Sequence, residues 1–246
     1  MIKSNKVKKI LKKIFLNNQN IFKKNYLQYL EKDKKFLNEL NKKIASNNIF
    51  KIRKFDSIYE FSVYRNFIYN LVRNTKPKTV IETGVLHGLT SAWILKGLKE
   101  NNYGKLYSID LPRRSWNKFF KQKFGPGGKA ELEIKNEKPG WVIPDDLRKN
   151  WKLFLGPSSK FLPLIKKKLR KIDLFIHDSD HSYNIMSYEC SNVNKFYGNI
   201  DLVIDDYYCN SYYKKHAIKF KRKYYFIDDV NDNNIQVPGC VFFPKK

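Results

Sequence analysis

The sequence predicts an α/β fold: a mostly parallel sheet with helices on both faces, a C-terminal antiparallel hairpin and an N-terminal helical extension. Three observations predict it. From Lys78 onward, short and uniformly apolar runs alternate with helical segments, the pattern of a parallel sheet covered on both sides. Before Pro77 there is no Gly or Pro, and apolar residues recur at helical spacing. The 246 residues are 42% hydrophobic and 15% aromatic, enough for one such domain with an appendage and too apolar for a disordered chain.

The elements follow in order. Residues 1–76 divide into two or three amphipathic helices, marked by Ile10, Leu11, Ile14 and Phe15, by Phe36, Leu37 and Leu40, and by Tyr59, Phe61, Tyr64, Phe67, Ile68 and Leu71. Residues 77–246 form the main domain. Strands are predicted at 79–83, 105–110, 152–155, 172–177 and 202–206, with helices at 91–99, 160–171 and 182–196. Residues 223–228 and 236–243 pair as a hairpin across 229–234. The connection from Leu111 to Asn150 is long for a compact domain. With Trp116, Gly125-Pro126-Gly127-Gly128 and Trp141, it reads as a substrate lid with a glycine hinge, against the alternative of an inert insertion.

Charge excludes less than its size suggests. The net charge is +26, but 41 of the 49 basic residues are Lys and only 8 are Arg. Nucleic-acid readers favour Arg, whose planar fork matches phosphate and guanine edges. The Lys and Asn excess resembles a compositional background, densest in residues 1–76, which carry 19 basic and 5 acidic residues. Those helices read as a cap on the main domain, with an anionic membrane surface or an acidic partner as alternatives. Cys190, Cys209 and Cys240, an odd number with no C-x-x-C pair, argue against a disulfide framework and a thiolate zinc site. They favour a reducing, cytoplasmic compartment. No apolar run is long enough to span a membrane, and lysines interrupt any signal-peptide core.

In a parallel sheet, ligands sit at the carboxyl ends of the strands. The first strand ends in Glu82-Thr83-Gly84-Val85-Leu86-His87-Gly88-Leu89-Thr90-Ser91. Gly84 allows a tight turn, Gly88 allows close backbone approach, and Glu82 repels phosphate but suits an ammonium group. The second strand ends in Asp110, where a carboxylate can accept both hydroxyls of a ribose. The fourth runs into Asp178-Ser179-Asp180-His181-Ser182-Tyr183 and the fifth into Asp205-Asp206. Asp178, Asp205 and Asp206 would converge at one edge, at a cost unless a cation neutralises them. Hard oxygen donors at this density favour Mg²⁺. The alternative is that one or two of these acids cap helices.

The Glu82-x-Gly84-x-x-x-Gly88 turn followed by Asp110 resembles motif I and the next acidic motif of class I S-adenosylmethionine (SAM)-dependent methyltransferases, with their Rossmann-like sheet. With Asp178–Tyr183, Asp205-Asp206, Gly140–Pro144, Trp151, Gly156-Pro157-Ser158 and Leu162-Pro163, the likeness narrows to the methyltransferase-24 type. That group holds metal-dependent sugar and natural-product O-methyltransferases and cephalosporin-hydroxylase-like proteins. The resemblance covers roughly residues 77–210 and implies an O-methyltransferase acting on a hydroxyl of a sugar or glycosylated small molecule. By position it places Glu82, Gly84, Gly88 and Ser91 at the methionine part of SAM and Asp110 at its ribose. It places Asp178, Asp205 and Asp206 around Mg²⁺ or another divalent cation. The base is His181, with Asp180 as the alternative; an imidazole accepts a proton near neutral pH. Pro157 stands where many relatives carry an acid for the adenine amino group, so Ser158 or a backbone group would serve.

Two other functions stay open at this point. An RNA or DNA methyltransferase would use the charge, but base N-methylation usually shows Asp/Asn-Pro-Pro-aromatic, and this chain has Asp178-Ser179-Asp180-His181. A non-catalytic SAM-fold binding module could dock through the basic N-terminus. The expected partners are a small-molecule or glycan acceptor and, by analogy with relatives, a second copy of the chain.

Overall fold

In the computed structural model, the described residues are 33–46, 62–112, 138–230 and 236–245, together with 9, 12 and 13. The expected helix at Ile10–Phe15, the residues Tyr59 and Phe61, and the glycine-rich centre of the expected lid lie outside that set, wholly or in large part.

The chain runs α1 (Lys34–Ala45), α2 (Ser62–Thr75), β1 (Thr79–Thr83), α3 (Leu89–Glu100), β2 (Lys105–Asp110) and β3 (Trp151–Leu155). It continues α4 (Ser158–Lys168), β4 (Leu174–His177), α5 (Tyr183–Tyr197), β5 (Asp201–Ile204), α6 (Tyr212–Lys219), β6 (Tyr225–Val230) and β7 (Gln236–Phe243). Short 3₁₀ turns cover Asp145–Asn150 and Tyr207–Cys209. The seven strands form one sheet in the order β3-β2-β1-β4-β5-β7-β6. The first five are parallel, and β7 runs antiparallel between β5 and β6. The fold is therefore the Rossmann-like sheet with a C-terminal antiparallel hairpin that the sequence predicts. The helix α6 has no counterpart in the sequence reading, because Lys214, Lys215 and His216 interrupt its apolar pattern.

Although the strands look continuously apolar, the pleat sorts them into two cores. Val80, Leu106, Leu174, Ile176, Val203, Cys240 and Phe242 face α1, α2, α3 and the segment 141–147. Ile81, Ile109, Phe175, Leu202, Ile204, Val241 and Phe243 face α4, α5 and α6. The helix α2 is part of the first core: Val63, Phe67, Ile68, Leu71 and Val72 are fully buried there. The helix α1 sits above it, Phe36 edge-on to Trp93 at 5.0 Å, and Asp33 caps the helix through Phe36 while pairing with Lys96 at 2.7 Å.

The start of α2 is held by a residue from the far edge of the sheet. Asp229 on β6, fully buried, accepts the amides of Val63 (3.2 Å) and Tyr64 (3.0 Å), two of the donors that a helix N-terminus leaves unpaired. A register shift between Ile227 and Asp229 accompanies this contact. The last part of the expected lid is fixed as well: Val142, Ile143 and Leu147 are buried, and Gly140 and Val142 donate to the carbonyls of Leu86 and His87.

Because the Asp229 carboxylate serves two buried amides, Asp229→Ala is expected to cost roughly 2 kcal/mol of stability, read from urea unfolding. A loss within error of zero would contradict the cap.

Candidate active site

Register brings the strand ends together. Thr83 lies opposite His177, and His177 opposite Ile204. One step beyond, the Asp178 amide donates to the Thr83 carbonyl (2.9 Å) and the Asp205 amide to the His177 carbonyl (2.9 Å). The alternation of side chains then points Glu82, Ser108, Asp110, Asp178 and Asp205 to the face that carries α2 and α3. His177 turns to the other face.

Glu82 is fully buried. Its Oε2 accepts the hydroxyls of Ser91 (2.6 Å) and Ser108 (2.7 Å), and Trp151 Nε1 donates to Ser108 at 2.9 Å. Its Oε1 is buried with no hydrogen-bond partner among the described residues. Burial pushes this carboxyl up to about 7, the two serines oppose that shift, and nearby Asp110 adds to it. Asp110 uses Oδ2 to accept the amides of Val85 (2.9 Å) and Leu86 (2.8 Å), and Oδ1 to accept that of Leu111 (2.6 Å). The carboxylate expected at a ribose thus also shapes the first turn.

The two glycines of that turn are required by protein backbone. Gly84 has φ +84°, and a Cβ there would lie 1.7 Å from the Asp178 carbonyl oxygen. Gly88 has φ +94°, and a Cβ would lie 2.6 Å from Gly140 Cα. The close approach read from Gly88 is therefore made by Gly140, which itself rests on Trp151. Ser158 gives its side-chain hydrogen bond to Glu189 on α5.

The acids at β4 and β5 divide into two groups. Ligand atoms of Asp178, Asp205 and His181 lie within 4.8 Å of one another, as do those of Asp206, His181 and Cys209. His181 links them, with Nδ1 3.2 Å from Asp206 Oδ2 and Nε2 3.9 Å from Asp178 Oδ1. Asp178 and Asp205 share a side-chain hydrogen bond, so one of them holds a proton. Burial raises both well above the usual carboxylate range; Asp206 and Glu82 add to the rise at Asp178, which the bond to Asp205 opposes, and Asp178 and Asp206 add to it at Asp205. For His181, burial favours the neutral ring, but Asp206, Asp205 and Asp180 outweigh it and hold the proton on. Asp180 accepts the Ser182 amide at 2.9 Å, a side-chain turn just ahead of α5.

Several residues escaped the sequence reading. Glu189, buried inside α5, accepts from Thr83 (2.6 Å) and Ser179 (3.0 Å) and pairs with His177 Nδ1 (2.7 Å), tying β1, β4 and the Asp178 turn together. A glutamate on a helix of mixed composition carries no sequence signal of burial. Arg65 on α2 lies over the Trp93 ring and offsets the charge of Asp178. Tyr64, on the same turn of α2, is 3% exposed, and its hydroxyl has no partner among the described residues.

Comparisons with known proteins agree with this architecture. Residues 81–200 match the family model of a methyltransferase domain, Methyltransf_24. Among solved structures, an O-methyltransferase of Bacillus cereus in complex with SAH aligns with TM-score 0.59 at 14% identity, over 89% of this chain and 96% of that one. A putative O-methyltransferase of Klebsiella pneumoniae aligns with TM-score 0.58 at 12% identity, over 85% and 90%. The O-methyltransferase TomG of Streptomyces achromogenes, involved in tomaymycin synthesis and in complex with SAM, aligns with TM-score 0.55 at 14% identity, over 85% and 89%. No curated protein matches the sequence.

The raised Glu82 value has a consequence for stability. The fold favours the neutral acid, so that contribution is present below the ordinary value of 4.5 and is lost as pH rises through about 7. Glu82→Gln is expected to flatten the fall in thermal midpoint over that window, and a pH-independent difference from wild type would contradict it. The strand order, the buried glutamate of the first turn and the match over residues 81–200 together make that segment a class I methyltransferase domain of the methyltransferase-24 type.

Proposed function

We propose that the protein is a SAM-dependent O-methyltransferase that uses a divalent cation, Mg²⁺ by the hardness of its donors, and methylates a hydroxyl of a sugar or glycosylated small molecule. The observation that carries this reading is the gathering of Asp178, Asp205 and His181 next to a buried, half-satisfied Glu82 at one sheet edge. The donor set fits a cation. Desolvated carboxylates that share a proton are poised to exchange it for a metal, and oxygen donors suit Mg²⁺ with water and substrate completing the shell. Glu82 Oε1 fits the methionyl ammonium of SAM, which would satisfy its missing hydrogen bond.

When bound, the cation would hold the acceptor hydroxyl and lower its pKa. Asp178 and Asp205 would hold it, with Asp206 close behind through His181. With the carboxylate charge neutralised, the attraction that raises His181 would weaken, and its imidazole would take the hydroxyl proton. SAM would supply the methyl group: the oxygen would form the C–O bond as the S–C bond breaks, leaving SAH as product. Asp180, engaged by the Ser182 amide, is the lesser candidate for the base.

The surroundings of the acids support a sugar acceptor. Tyr208, 55% exposed, hydrogen-bonds to Asp206. Tyr207 lies against both Tyr208 and Phe226, the latter 45% exposed. Exposed aromatic faces beside a polar cluster suit a ring with apolar C–H faces and hydroxyl edges.

Methyl transfer to a hydroxylated acceptor is expected to stop on chelation and return with Mg²⁺, while Asp178→Ala abolishes transfer and leaves SAH binding in place. Undiminished turnover after chelation would refute the metal's role. His181→Ala is expected to cut turnover on the order of a hundred-fold or more and to remove its ionisation from the pH–rate profile. A wild-type profile in that variant would move the base to Asp180.

A further inference from the structure

We propose that Tyr64 binds the α-carboxylate of the SAM methionyl group, opposite Glu82, which takes the ammonium; this rests on the methyl-donor reading above. The first turn of α2 is fixed over the sheet by Asp229, which accepts the backbone amides of Val63 and Tyr64. That places the Tyr64 side chain on the face to which pleating directs Glu82, Asp178, Asp205 and Cys240. The phenol looks onto these groups, and its ionisation is raised first by burial and then by Asp178, Asp205, Cys240 and Glu82. It is therefore a donor at any physiological pH.

Beside His181 Nε2, two polar atoms at this edge are buried without partners among the described residues and are of opposite kinds: Tyr64 Oη, a donor, and Glu82 Oε1, an acceptor. Buried polar groups are generally paired, so an orphaned donor and an orphaned acceptor at one strand edge suit a ligand that carries both partners. A ligand that satisfies only Glu82 would need just a cation, and one that satisfies only Tyr64 just an acceptor. The α-amino acid end of SAM brings both on one carbon. The other acids do not compete for the tyrosine: Asp178 and Asp205 hydrogen-bond each other, and Asp206 pairs with His181.

Calorimetric binding of four nucleosides to the full chain tests this. SAM and SAH carry ammonium and carboxylate, decarboxylated SAM carries only the ammonium, and methylthioadenosine carries neither. Tyr64→Phe is expected to weaken SAM and SAH by about ten- to hundred-fold, the worth of a hydrogen bond to a charged group. It should leave decarboxylated SAM and methylthioadenosine unchanged, which also shows the variant folded. Glu82→Gln should weaken all but methylthioadenosine. If Tyr64→Phe binds SAM as wild type does, or loses all four alike, the inference is overturned while the donor reading stands. If wild type binds none of them, the donor reading fails and takes the inference with it.

Discussion

Carboxylates crowd the carboxyl edge of this sheet, in a chain whose net charge is +26. Register leaves them little choice: Asp178 and Asp205 each take the next hydrogen bond after the end of a strand, Glu82 is the last but one residue of β1, and Asp110 closes β2. Such a cluster is costly, and much of the surrounding structure supplies donors to it. Serines serve Glu82, backbone amides serve Asp110, a shared proton joins Asp178 to Asp205, and the His181 ring serves Asp206. The acids are thus only partly satisfied by the protein. The remainder is what the proposed cation and the proposed methyl donor would satisfy.

The donors come from segments that must be placed first. Gly140 fits against Gly88 and Trp151, and Trp151 reaches Ser108, so the segment 140–151 is the wedge that holds the Glu82 network dry. On the other face, Glu189 gathers Thr83, His177 and Ser179, fixing the turn from which Asp178 and His181 project. The C-terminal hairpin contributes from a distance, because Asp229 sets the start of α2 and with it Tyr64 and Arg65. Truncating any one of these supports should loosen the acids as a group.

Much of this was legible in the sequence. The apolar strands, the Glu82–Gly88 turn, the acids at Asp178 and Asp205-Asp206 and the closing hairpin all lie in short local patterns. What was not legible depends on partners far apart in the chain. Asp229 reads as a turn residue until α2 is brought to it, and Tyr64 reads as one more apolar position of an amphipathic helix. Glycine spacing suggested a close approach at Gly88, and the side on which a Cβ would lie is taken by Gly140, far away in the chain. The lid expected over 111–150 ends in core, because Val142 and Ile143 lie against the first turn, a contact that composition cannot announce.

The Lys-rich background can draw anionic substrates toward the molecule, but the acids set the chemistry. The most direct measurement is an anomalous difference map from a crystal grown with SAH and Mn²⁺. The account predicts one manganese peak between Asp178 and Asp205, with the SAH amino group at Glu82. A manganese peak elsewhere, or SAH bound away from the β1 turn, would contradict it.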